Sequence, residues 1–466
     1  MKFFLFFILF LTNLLVADPR LEFEQTALDK YVHSIDESFN YEIVKTISGE
    51  GVTTHIVDLT SQTFLTKKEI NRTKWKHWLI IVIPEEIKHR TGMLIIGAGD
   101  NDGNLPKGAD PVTLEYAKAT NSVVATLGMV PNQPLTFAGE EEPRWEDAII
   151  AYTWDKYLTT GDEKWPLRLA MTKSAVAAMD AIQSILVEKE GEEVLKFVVS
   201  GASKRGWTTW TAAAVDNRVE AIVPVVIDLL NLEPSFKHHW KAYGFWAPAI
   251  QDYVDMKVID WWTSQEMRSL IKLVDPFSVK ERFEMPKLLV NAAGDQFFLP
   301  TSSQFYFDEL PGEKYLRYVP NADHNVSNGT DALETILAFY ASILNQVPRP
   351  KFSWELREDG SIKVISESNV QEVIMWHATN ETARDFRKDT IGNSWKPEVL
   401  KLNEDGSFIG NPSTPKIGWK AYFLEMTYKT PFGLNLKLTT PVRVTPNTLP
   451  FEYQIPKKPK KGFLSK

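Results

Sequence analysis

Phe197–Trp207 reads FVVSGASKRGW. The apolar run into Ser200 has no polar face, the pattern of a short strand buried on both sides. Gly201-Ala202-Ser203-Lys204-Arg205-Gly206 follows as a turn, and Trp207 to Val215 is compatible with a helix. Strand, sharp turn with a serine at its tip, then helix is the nucleophile elbow of α/β-hydrolases. The serine must adopt a strained backbone, so the residues two positions away must be small. Gly201 meets that need on the strand side. On the helix side the pattern asks for glycine at 205, and the sequence has Arg205 with Gly206 one later. The requirement is for room rather than for glycine as such, so the departure leaves the expectation standing. The helix amino terminus would also place backbone N–H groups near Ser203 and favour negative charge there.

Working outward, the partners fall in the chain order this fold uses, serine, then acid, then histidine. The apolar run Lys287–Val290 leads into Asn291-Ala292-Ala293-Gly294-Asp295, which puts Asp295 just past a strand end. Tyr315–Val319 leads into Pro320-Asn321-Ala322-Asp323-His324, which puts His324 in the next such loop. Open α/β sheets gather their sites at the carboxyl ends of the strands. Ser203, Asp295 and His324 are therefore expected to form a catalytic triad. Asp228, after the run ending at Ile227, is the rival acid, and a helix N-cap is the rival role for Ser203. Oxyanion donors are expected from the backbone of Lys204 and of the Gly97-Ala98-Gly99 loop, where Ala98 or Gly99 would serve. Glu141 and Glu142, in an acidic cluster, and His239 and Trp240, in an aromatic stretch, are further candidates for a substrate pocket.

Around the elbow, strand-like runs (Trp75–Ile83, Met93–Ile96, Ser122–Leu127, Ala221–Ile227) alternate with helical patterns (Thr113–Lys118, Glu146–Tyr157, Ala170–Glu188, Asp331–Leu344). That alternation predicts a mostly parallel sheet with helices on both faces. The hydrolase domain is expected over residues 20–348, with a lid-like insertion at about 228–280. After Pro348-Arg349-Pro350 the texture changes to strands separated by turns such as Asp359-Gly360 and Asp405-Gly406. A β-sandwich is expected over 350–454, followed by a solvated basic tail at 455–466.

Composition narrows the chemistry. Among 466 residues there is no cysteine, which excludes disulfides, thiolate metal sites and a cysteine nucleophile. Eight histidines without a HExxH pattern argue against a zinc enzyme, so no metal and no cofactor are expected. A formal charge of −8 lacks the concentrated positive field that nucleic-acid binding requires. Residues 1–17, MKFFLFFILFLTNLLVA, have one early lysine and an apolar run, as a secretory signal peptide does. A secreted protein, extracellular or periplasmic and without a stable membrane anchor after cleavage, is expected. Sequons occur at Asn71, Asn325, Asn328 and Asn380.

The segments AYTWDKYLTTGDEKWPL from Ala151, MTKSAVAAMDAIQ from Met171 and SGASKRGWTTWTAAAVDNRVEAIVPVVIDLLN from Ser200 resemble the PhoPQ-activated pathogenicity-related protein family, which includes autocrine proliferation repressor-like proteins. The resemblance runs from roughly Leu21 to Tyr453. It implies an α/β-hydrolase domain with a Ser-Asp-His arrangement like that at Ser203, Asp295 and His324, and Arg205 fits the family's elbow. It implies no settled substrate. Three functions are carried forward: a secreted serine hydrolase acting on an ester or peptide bond, a non-catalytic signalling protein with a receptor or other protein partner, and an esterase of carbohydrate polymers suggested by the 15 tryptophans and the Ser-Lys-x-Gly elbow.

Overall fold

The computed structural model describes residues 23–465; the expected signal peptide lies outside them. Nine strands lead to the site in chain order: β1 (Asn40–Gly49), β2 (Val52–Thr63), β3 (Lys74–Pro84), β4 (Thr91–Ile96), β5 (Val124–Leu127), β6 (Lys196–Ala202), β7 (Val219–Val225), β8 (Lys287–Ala292) and β9 (Lys314–Val319). They lie side by side in the order β1-β2-β3-β5-β4-β6-β7-β8-β9. From β5 to β9 every neighbouring pair is parallel, while β1, β2 and β3 pair antiparallel at one side. The parallel strands are covered on both faces, which is why β8 is buried at every residue. With helices on both sides and a serine elbow at its centre, this is an α/β-hydrolase fold.

The helices before the C-terminal strands are α1 (Ala27–Val32), α2 (Pro111–Thr120), α3 (Glu146–Thr160), α4 (Leu167–Ile185), α5 (Lys204–Val215), α6 (Leu232–Tyr243), α7 (Gln251–Asp255), α8 (Gln265–Val274) and α9 (Ala332–Leu344). Helix α5 is buried at every residue. Its threonines return their hydroxyls to the preceding turn, Thr208 to Lys204 O (3.0 Å) and Thr209 to Arg205 O (3.0 Å), which satisfies them without an outside partner. The Trp207 indole N–H donates to Val274 O at 2.7 Å and ties α5 to α8.

The change of texture at Pro348–Pro350 marks a change of pairing, and the sheet itself continues. The C-terminal strands are β10 (Phe352–Leu356), β11 (Ile362–Ser366), β12 (Glu372–Asn380), β13 (Lys396–Val399), β14 (Ser407–Gly410), β15 (Trp419–Lys429), β16 (Asn435–Thr439) and β17 (Arg443–Thr445). Strand β16 pairs antiparallel with β9 at Thr439 and Leu316, so β16-β15-β12-β13 extend the main sheet. A second sheet, β10-β11-β14, packs its Ile362, Val364 and Phe408 against Met375, Leu424 and Met426, giving the antiparallel sandwich. The seam carries a buried ion network. Arg317 of β9 pairs with Glu425 of β15 and with Asp331 (2.6 Å), which also binds Lys437 of β16 (2.6 Å).

The basic tail differs from expectation, because it is docked. Lys458 pairs with Glu266 (2.6 Å), Lys460 with Asp155 (2.8 Å), and the Phe463 ring meets Tyr157 edge-on at 5.5 Å. Burial of an aromatic ring plus two ion pairs outweighs the entropy of a free end. No helix among the described residues is long and apolar enough to cross a membrane.

Candidate active site

The elbow forms as its sterics require. Ser203 has φ 59° and ψ −125°, and its N–H donates to Val225 O at 2.8 Å. It occupies the N-cap position of α5 without making a side-chain capping bond. A serine that neither caps nor relaxes its backbone is held for another purpose. The glycine requirement falls at 201 and 206. A Cβ on Gly201 would lie 2.7 Å from Arg205 O, and one on Gly206 would lie 2.9 Å from Gly201 O and 3.0 Å from Val225 O. Arg205 meets no such limit, because its side chain turns away: Nε donates to Val130 O and Nη2 to Glu146 Oε1, each at 2.5 Å.

Lys204 is also buried, its Nζ 2.7 Å from Glu146 and 3.0 Å from Asp147. Burial alone would raise the Glu146 carboxyl; the hydrogen bond from Arg205 and the charge of Lys204 outweigh it and hold the pKa down at about 2. Glu146 itself has φ 47°. The charge pairs with Lys204 and Arg205 thus tie this strained residue to the first turn of α5.

Register brings the remaining loops to the same edge. Ile96 of β4 lies opposite Gly201, so Ala98 and Gly99 follow beside Ser203. The loop is pinned inward by Met129 N–H to Ala98 O (2.9 Å) and Gln133 Nε2 to Gly99 O (3.2 Å), while both residues remain exposed. The N–H of Lys204 belongs to the first turn of α5, which has no intrahelical acceptor for it.

Asp295 and His324 meet at the ends of β8 and β9. His324 Nδ1 is 2.8 Å from Asp295 Oδ2 and 3.0 Å from Oδ1. The N–H of Phe297 donates to Asp295 Oδ1 at 2.7 Å, and the His324 N–H donates to Gln296 Oε1 at 2.9 Å. The Phe297 ring lies 4.3 Å from the imidazole. His324 Nε2 is buried without a hydrogen-bond partner among the described residues, and Ser203 Oγ makes no hydrogen bond there either. The rival Asp228 is engaged elsewhere. It accepts from Tyr306 (2.5 Å) and Tyr318 (2.6 Å), and burial pushes its pKa up to about 7.

The other pocket candidates separate. His239 Nε2 accepts the Ala247 N–H at 3.1 Å, and burial holds its pKa down at about 3, so its lone pair is spent on the fold. Trp240 donates its indole N–H to Glu452 O at 3.1 Å and packs on Trp246; it anchors the C-terminal segment. Glu141 and Glu142 are exposed on a depression lined also by Trp145, Glu146 and Asp252, on the α3 side of the elbow. The His324 imidazole opens instead into a depression of about 650 Å³ lined by Pro248, Phe297, Asp323, Asn325, Arg387 and Asp389.

Arg387 and Asp389 come from the loop between β12 and β13, which sequence reading did not place here. Lys388 N–H donates to Gly294 O at 2.9 Å, and a Cβ on Gly294 would lie 3.0 Å from Lys388 N. Asn321 exchanges two 3.0 Å hydrogen bonds with the Trp395 backbone. The sandwich thus walls the site through the loops that carry Asp295 and His324. The glycine before Asp295 was the one local signal of that approach.

A relative from Dictyostelium discoideum, autocrine proliferation repressor protein A, is 37% identical over 454 residues, covering 91% of this chain and 92% of its own. Similar solved structures include the acetyl xylan esterase from Paenibacillus sp. R4 (14% identity, TM-score 0.48, 68% of this chain and 92% of that one). The S-formylglutathione hydrolase from Agrobacterium tumefaciens is another (14%, TM-score 0.40, 65% and 99%). The sequence model of the PhoPQ-activated pathogenicity-related protein family matches residues 28–387, and the chain belongs to that family.

Proposed function

We propose that the protein is a secreted serine hydrolase that cleaves an ester or peptide bond through an acyl-enzyme intermediate. The observation that carries this reading is an uncapped Ser203 at φ 59°, on the same sheet edge as a His324–Asp295 pair at 2.8 Å. Ser203 Oγ attacks the acyl carbon while His324 Nε2 takes its proton. Asp295 holds the ring with Nδ1 protonated and stabilises the imidazolium. The backbone N–H of Lys204, with that of Ala98 or Gly99, receives the oxyanion. His324 then returns its proton to the leaving group, and water releases the acyl group by the reverse sequence. The free Nε2 and Oγ meet when substrate is bound, since catalytic hydrogen bonds often tighten only in the complex. The apolar stretch at residues 3–11 supports export.

The test is labelling of the purified protein with a fluorophosphonate. Labelling of the wild type that is lost in Ser203→Ala and His324→Ala is expected. A folded wild type left unlabelled, and inert toward activated esters, would overturn the reading. The second reading, a signalling protein on a hydrolase scaffold, is favoured by the name of the Dictyostelium relative and by a His324 Nε2 that makes no hydrogen bond to Ser203. It predicts that Ser203→Ala leaves any effect on cell proliferation intact.

A further inference from the structure

The β12–β13 loop carries three cations close together, and they are not alike. Arg387 is bound bidentately by Asp385, at 3.0 and 2.5 Å, and lies over the Tyr243 and Phe245 rings at 5.1 and 5.2 Å. Lys388 pairs with Asp323 at 3.4 Å. Arg384 is 3% exposed, its Nε has no hydrogen-bond partner, and among the described residues it makes no ion pair. Burial lowers its pKa to about 10, with only Tyr243 acting in the other direction. An uncompensated buried guanidinium costs several kcal/mol, which proteins generally avoid by pairing.

The surroundings hold a second orphan. The Tyr243 hydroxyl is buried without a hydrogen-bond partner among the described residues, and it feels both Arg384 and Asp295. The two nearby imidazoles provide no anion: His238 is bonded to Thr301 (2.9 Å), His239 accepts from Ala247, and burial keeps both uncharged. Arg384 is also positioned firmly. The Asn380 side chain accepts from Thr382 N–H (3.0 Å) and Ala383 N–H (3.2 Å) and donates to Asp385 O (2.7 Å), which fixes the turn on both sides of residue 384. Arg387 and Asp389 of this loop wall the His324 depression.

We propose that Arg384, with the Tyr243 hydroxyl beside it, receives a carboxylate carried by the substrate, so that the site selects acyl compounds bearing a negative charge. The inference rests on the serine-hydrolase reading. A guanidinium fork matches a carboxylate in shape, and a single buried positive charge balances a monoanion, whereas a phosphate dianion would remain undercompensated. The Tyr243 hydroxyl donates to the same oxygens.

Hydrolysis of 4-nitrophenyl hydrogen adipate, which is anionic, is compared with that of neutral 4-nitrophenyl heptanoate, for the wild type, Arg384→Gln and Arg384→Lys. The wild type is expected to favour the anion at least ~10-fold in kcat/KM, the worth of one charge-assisted hydrogen-bonded pair. Arg384→Gln should remove that preference through KM and leave the neutral ester within about twofold; Arg384→Lys should retain part of it. The melting temperature of Arg384→Gln should hold or rise, because an unpaired buried charge is removed. Should Arg384→Gln not fold, Arg384→Lys alone carries the comparison. Equal turnover of both esters, or equal loss of both, would overturn the inference and leave the hydrolase reading intact. If fluorophosphonate labelling and turnover both fail, calorimetric titration with adipamate and neutral adipamide decides. Binding of adipamate alone, lost in Arg384→Gln, sustains the anion site without catalysis, and no binding overturns it.

Discussion

Two loops meet at the candidate site and arise differently. The elbow, Gly201–Gly206, is made by its immediate neighbours: a strand with no polar face, two glycines whose Cβ atoms would strike backbone, and a helix that starts at Lys204. The β12–β13 loop comes from chain that follows His324. It is held by Lys388 on Gly294, by Trp395 on Asn321, and internally by the Asn380 side chain. In the proposed hydrolase the elbow would supply the reacting atom, while the distant loop walls the His324 depression. One is a matter of local sterics, the other of docking between two halves of a shared sheet.

The comparison breaks most sharply at the reacting atom. Ser203→Ala should abolish fluorophosphonate labelling and lower ester turnover by roughly 10⁴-fold or more, with an unchanged circular dichroism spectrum. Asp295→Asn should cost about 10⁴ in kcat, because an amide at that position orients the wrong imidazole tautomer; a loss under tenfold would return Asp228 to contention.

Next comes the steric requirement. Gly206→Val should destabilise by about 3 kcal/mol in urea denaturation, since the new side chain meets Gly201 O and Ile227. Full stability there would mean that the elbow has room the structure does not give it.

Asp228 tests the buried cluster it forms with Tyr306 and Tyr318. Its folded pKa of about 7 exceeds the ordinary 3.8, so between those values the folded state holds the extra proton. The contribution of Asp228 to stability is therefore present at low pH and is lost as pH rises through 7. Relative to Asp228→Asn, the wild type should lose about 2 kcal/mol between pH 5 and 7. Parallel pH profiles would show that the two tyrosines keep Asp228 ionised.

The smallest effect is expected at the far loop. Asn380→Ala removes four hydrogen bonds and should cost about 1–2 kcal/mol, raising KM for activated esters while kcat stays within twofold. A fall in kcat instead would mean that the loop supports the His324–Asp295 pair itself.

The parallel sheet was legible because each buried strand is a short apolar run followed by a turn, and the helices between them repeat at helical spacing. The N-terminal hairpin β1–β2 was not, since its exposed first strand mixes charge with apolar residues. Around the elbow, the strand-end positions of Ser203, Asp295 and His324 were readable, and the helix-side need for glycine falls at 206, one residue beyond where the general pattern asks for it. His239 and Trp240 are engaged in hydrogen bonds of the fold, which aromatic composition alone does not reveal. The docked tail was misread because charge in sequence looks the same whether solvated or paired.

The fold class and the strand–serine–helix turn at Ser203 follow from the sequence alone, since both depend on residue size and hydrophobic period over short spans. What folding adds is that the sandwich continues the main sheet, that its loop walls the His324 depression, and that Arg384 is buried with no acid partner among the described residues. Those facts depend on which surfaces exclude water from one another, and that is set by contacts between segments far apart along the chain.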